Sequence, residues 1–110
     1  MTQQIPALQI TPLFHCRISY DCHPDAGEWG SDFPEWDRLN DLVYCAAQNA
    51  DPTDHDSNVD QFPGGAACWP YIEITAPTWA ACKAMGDAVI RCVLDNGGRL
   101  DPKSPGGSFK

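Results

Sequence analysis

Residues 69–98, WPYIEITAPTWAACKAMGDAVIRCVLDNGG, decide the fold. The stretch Trp69 to Thr75 reads as the strongest strand of the chain, because Tyr71, Ile72, Ile74 and Thr75 all favour a pleated backbone. A helix follows at once. Thr75 is expected to cap it, with Pro77 near its first turn. From there Trp79, Cys82, Met85, Ala88 or Val89, and Cys92 recur at the 3.6-residue period of a buried helical stripe. Gly86 weakens the middle of this helix by about 1 kcal/mol relative to alanine and permits close packing. Asn96-Gly97-Gly98 is a strong C-terminal stop. Trp69 and Trp79 flank the strand and the helix and are expected in the core.

A strand and a helix also lie upstream. Leu13 to Tyr20 is rich in β-branched and aromatic residues, and Pro12 before it suggests an edge or a bend. His23 to Pro34 has the proline and glycine content of a loop. Pro34 to Asn49 then reads as a helix: Ser31 or Asp32 fits the cap, and Glu35 and Asp37 suit the positive N-terminal end. Leu39, Leu42, Val43, Ala46 and Ala47 form its apolar stripe. Asp51-Pro52 closes it. Asp51 to Ala67 is a long polar loop, with room for a short strand near Val59 to Phe62. The order of strands and helices predicts a small two-layer α/β (α+β) domain over residues 1–100, with two helices on one face of a short sheet. Residues 101–110 are expected to be a flexible tail, with Leu100 tucked in.

One hundred and ten residues make one domain. The first ten residues lack the basic and apolar regions of a secretory signal. No apolar run approaches the ~20 residues that a spanning helix needs. A soluble, cytoplasmic monomer is expected. The six cysteines, at 16, 22, 45, 68, 82 and 92, are too sparse for a disulfide scaffold and read chiefly as small buried hydrophobes, although one or more bridges stay open.

The cysteines and histidines do not assemble into a metal motif. His15, Cys16, Cys22, His23, Cys45, His55 and Cys68 include no C-x2-C pair, and five residues separate Cys16 from Cys22. No nucleotide-binding loop, nucleophile elbow or metalloprotease motif is present. No catalytic residues, metal or cofactor are therefore expected.

Charge is the strongest functional signal. The chain carries a formal −8 with a pI near 4.4, which disfavours direct contact with nucleic acid or an anionic membrane and favours a basic protein partner. The acids are concentrated. Asp21, Asp25, Glu28, Asp32, Glu35, Asp37, Asp41, Asp51, Asp54, Asp56 and Asp60 are eleven carboxylates in forty residues, against the single base Arg38. Such a block stores self-repulsion that solubility alone does not require. Asp37 and Asp41 lie about 6 Å apart along a helix axis, comparable to the spacing of duplex phosphates. A rigid array of this kind fits a groove lined with Lys and Arg. Trp29 and Trp36, interleaved with these acids, have the composition of interface anchors, with packing into the core or under a lid as the other reading.

In size, charge distribution and this carboxylate-rich segment, the chain resembles the DNA-mimic inhibitors of phages and mobile elements. The group it most resembles is the anti-CRISPR proteins, in particular small inhibitors of type I effector complexes such as the type I-C Cascade. The resemblance implies a protein without enzymatic activity that binds a Cas subunit, such as the Cascade large subunit, and blocks target DNA. The eleven acids would be its DNA-like surface. Two other classes remain open: an acidic immunity protein of the barstar kind that plugs a basic nuclease toxin, and a small Cys/His metal protein or enzyme.

Overall fold

The computed structural model describes residues 13–21, 34–53, 56–62, 69–103 and 106–109. Its elements are β1 (Phe14–Asp21), α1 (Pro34–Asn49), β2 (Asn58–Phe62), β3 (Tyr71–Ala76), α2 (Trp79–Asp95), β4 (Arg99–Leu100) and β5 (Ser108–Phe109). The first six follow the split β-α-β order, βαββαβ. The strands lie in the order β2-β3-β1-β4, all neighbours antiparallel. β1 is central. Its far edge is shared between β4, opposite Tyr20 and Asp21, and β5, opposite Cys16 and Arg17. The α+β class expected from the sequence is the class observed.

The sheet has two unlike faces because side chains alternate along a strand. Cys16, Ile18 and Tyr20 of β1 and Ile72, Ile74 and Ala76 of β3 are buried against the helices. From α2 come Ala81, Cys82, Met85, Val89 and Val93, and from α1 Leu39, Val43 and Ala47. Fully burying the leucine, isoleucine, valine and methionine side chains among them contributes about 1.5–3 kcal/mol each before entropy is set against it. The alternate residues, His15, Arg17 and Ser19 with Tyr71, Glu73 and Thr75, occupy the other face.

Several local expectations are corrected. The cap of α2 is Thr78, not Thr75: its backbone is extended and its Oγ accepts from the Ala81 N–H at 3.1 Å. Thr75 belongs to β3, paired with His15 and Asn58. Trp79 is 46% exposed and meets Phe14 edge-on at 6.0 Å. The reason is positional. α2 begins just beyond the end of β3, so its first turn stands at the sheet margin and the buried stripe starts at Ala81 and Cys82. Trp69 is half-buried beneath the Arg99 guanidinium, 4.9 Å from its ring centre. Leu42 is 37% exposed, since α1 turns Leu39, Val43 and Ala47 inward and leaves Leu42 about 100° from Val43.

The expected flexible tail contains β5, and Leu100 sits in β4. The path into β4 depends on glycine. Gly97 has φ +80°, the left-handed conformation that closes a helix, and the Gly98 N–H donates to the Val93 carbonyl at 2.9 Å. A Cβ on Gly98 would lie 2.7 Å from the Asp21 carbonyl oxygen and 3.0 Å from both Leu39 and Val93.

Candidate binding surfaces

α1 carries the best-defined part of the acidic block. Asp37 and Asp41 are both exposed. At 100° per residue they stand about 120° and 160° around the helix from Val43, the centre of its buried stripe. The same stripe that ties α1 to the core therefore directs these carboxylates outward. A polar junction adds to this attachment. The Tyr20 hydroxyl donates to Asn40 Oδ1 at 2.6 Å, and Gln61 Nε2 donates to the Asn40 carbonyl at 2.7 Å and to Oδ1 at 3.0 Å. One residue of α1 is thus bound to both β1 and β2. Burial drives the Tyr20 hydroxyl pKa well above its ordinary range, so it stays protonated and remains a donor.

The other acids of the block among the described residues are not on one face. Asp21 is 2% exposed, at the end of β1, with its carboxylate 3.7 Å from Arg99. It is removed from the expected surface, because Tyr20 and Asp21 are consecutive and both buried where β4 closes over the strand end. Asp51 serves its own loop: its Oδ1 accepts from the Thr53 N–H at 2.8 Å, from the Thr53 hydroxyl, and from the Ser57 hydroxyl at 3.1 Å. Partial burial tends to raise its pKa, but these hydrogen bonds outweigh that and hold it below the usual carboxylate value. Asp56 is exposed in the same loop. Asp60 is exposed on β2 and accepts from Asn58 Nδ2 at 2.9 Å. It projects on the sheet face opposite the helices. Asp25, Glu28, Trp29, Asp32 and Asp54 lie outside the described residues, as do the side chains of Glu35 and Trp36. So do Cys22, His23, His55 and Cys68.

The sheet face opposite the helices holds an arrangement that spacing alone does not reveal. Phe62 stacks on Tyr71, with ring centres 4.7 Å apart and planes at 19°. The Arg17 guanidinium lies over the Tyr71 ring at 3.7 Å. Three planar groups are thereby piled across β2, β3 and β1. Beside them an open-mouthed pocket of about 300 Å3 is lined by His15, Cys16, Arg17, Glu73 and Ser108. The residues forming the stack are legible as alternate positions of predicted strands; their cross-strand register is not.

Chemistry at the cysteines is limited by burial. Cys16, Cys45, Cys82 and Cys92 are free thiols. Burial, reinforced by nearby Cys82 and Asp87, pushes the Cys16 thiol up to about 12, which suppresses the reactive thiolate. Burial also raises Cys82 and Cys92. His15 is exposed, and its Nδ1 lies 3.3 Å from the Thr75 hydroxyl. Among the described residues no three His, Cys, Asp or Glu side chains come together as metal ligands. Among them also, no helix is long and apolar enough to cross a membrane.

No protein-family model, characterised protein or solved structure matches the chain.

Proposed function

We propose that the chain is a non-enzymatic inhibitor that binds a basic, nucleic-acid-binding protein through the acidic outer face of α1. The observation that carries this reading is the placement of Asp37 and Asp41. They are exposed, one helical turn apart, on a helix fixed by Leu39, Val43, Ala47 and the Asn40 junction. Rigid carboxylates bind Arg and Lys with less ordering entropy than carboxylates on free loops. The formal −8 steers a basic partner toward them. The preferred partner is the DNA-binding large subunit of a type I Cascade complex, which ties the reading to the anti-CRISPR resemblance. The protein would occupy the basic channel where target duplex otherwise binds.

The experiment is a competition. Purified type I-C Cascade is mixed with labelled target duplex, and the chain is titrated in at low and physiological salt. The reading expects displacement of duplex that weakens as salt rises. Inhibition of a nuclease toxin with no effect on Cascade would instead place the chain with the immunity proteins.

A further inference from the structure

We propose that the sheet face opposite the helices is a second docking surface, where Phe62, with Asp60 and Glu73 in the neighbouring row of the ladder, receives arginine side chains of a basic partner protein. This deepens the reading above and rests on its assignment of a basic partner.

The protein itself displays the contact. Arg17 stands directly opposite Glu73 in the β1–β3 register, where a cross-strand ion pair would be ordinary. Its guanidinium instead lies on the Tyr71 ring at 3.7 Å. A guanidinium is planar and weakly hydrated, so it stacks on an aromatic ring while its N–H edges stay available. Tyr71 has thus accepted one arginine on one side and Phe62 on the other. Phe62 ends the stack at the β2 side and is 37% exposed.

The charges beside the stack favour the same occupant. Asp60 and Glu73 are directly opposite one another on β2 and β3, a like-charge cross-strand pair that is unfavourable by itself. Among the described residues neither forms an ion pair closer than 4 Å. An incoming guanidinium stacked on Phe62 would meet Asp60, two residues away on the same face of β2, and its charge would offset the repulsion between Asp60 and Glu73 across the ladder. A nucleic acid could use the same rings for base stacking. Its phosphates would however meet Asp60, Glu73 and a chain of formal charge −8. Charge complementarity therefore selects a basic protein segment.

The test uses the full chain and a fluorescein-labelled peptide of alternating arginine and serine, followed by fluorescence anisotropy. A lysine-for-arginine peptide and a labelled oligothymidylate are run alongside. The variants are Phe62→Ala, Phe62→Tyr, and Asp60→Asn combined with Glu73→Gln, each checked for an unchanged circular dichroism spectrum. Wild type is expected to prefer the arginine peptide. Phe62→Ala should weaken it roughly three- to tenfold without altering net charge, and Phe62→Tyr should restore binding. The double amide variant should weaken it comparably. Amide shifts on titration should cluster on β1, β2 and β3. An unchanged affinity in Phe62→Ala overturns the proposal. So does tight oligothymidylate binding that Phe62→Ala abolishes, or a wild-type dimer that Phe62→Ala dissociates. No Cas protein enters this assay, so its failure is distinguishable from failure of the Cascade competition.

Discussion

Replacing Gly98 by alanine tests the packing that holds α1 in place. The new methyl carbon would lie 2.7 Å from the Asp21 carbonyl oxygen, closer than carbon and oxygen tolerate, and 3.0 Å from Leu39 Cδ2 and Val93 Cγ1. The leucine and valine contacts can yield by small side-chain shifts. The carbonyl cannot, because Asp21 is paired with Arg99 in the β1–β4 ladder. Relief therefore requires β4 to move away from β1, or α2 to move with it. Overpacking of this kind costs about 1–3 kcal/mol. The contact is with backbone, so we expect the middle of that range rather than its lower end, about 2 kcal/mol. Gly97→Ala is the comparison. Nothing lies within 4 Å of its added Cβ, so its cost is conformational, about 1 kcal/mol from a left-handed φ of +80°. Urea denaturation followed by tryptophan fluorescence reads both. With a slope typical of small domains, Gly98→Ala should lower the midpoint by about 1 M and Gly97→Ala by about half as much, with slopes unchanged. A Gly98→Ala midpoint equal to wild type, or a larger loss at Gly97, would refute the contact argument.

Three further outcomes are expected. Asp51→Ala should destabilise by about 1–2 kcal/mol, because the Thr53 and Ser57 donors lose their shared acceptor. The Asp51 carboxyl is held below its ordinary value in the folded state, so its contribution is present above that value and lost as pH falls through the depressed one. Urea midpoints measured downward from pH 6 should accordingly fall less steeply near and below the ordinary value of 3.8 in Asp51→Ala than in wild type. In native protein at pH 8, iodoacetamide should modify exposed Cys45 and spare Cys16, whose thiol sits near 12, as peptide mass mapping would record.

The four longest elements were legible because each carries several residues of one propensity or one period. β1 and β3 hold β-branched and aromatic residues that favour a strand, and the α2 stripe runs from Cys82 to Val93. Elements defined by pairing alone were not. β4 and β5 are two residues each, too short for a period, and exist because the edge of β1 accepts them. Thr75 and Thr78 both suit a helix cap. Only the depth of β3, continuing to Ala76, decides between them. The acidic block was legible as composition but not as a surface. Charge counting places Asp21 with Asp37 and Asp41, whereas the strand end buries Asp21 against Arg99 and α1 turns the other two outward. Asp60 reaches the opposite face of the sheet because of its strand phase. The stack of Phe62, Tyr71 and Arg17 joins residues up to fifty-four positions apart, which no local period connects.

If the carboxylates of α1 occupy a basic site that otherwise holds duplex DNA, the Cascade–duplex competition should respond to charge reversal there, and it is repeated with Asp37→Lys/Asp41→Lys and with Asp95→Lys. Asp95 is exposed on α2, a different helix from the one that carries Asp37 and Asp41. Asp101 is a poorer control, since its carboxylate accepts from the Lys103 N–H at 2.9 Å. Wild type is expected to release the duplex, the α1 double variant to need at least about tenfold more protein to do so, and Asp95→Lys to stay within about twofold. Duplex that remains bound at saturating wild-type protein, or equal losses from both variants, would contradict this occupancy of the basic site.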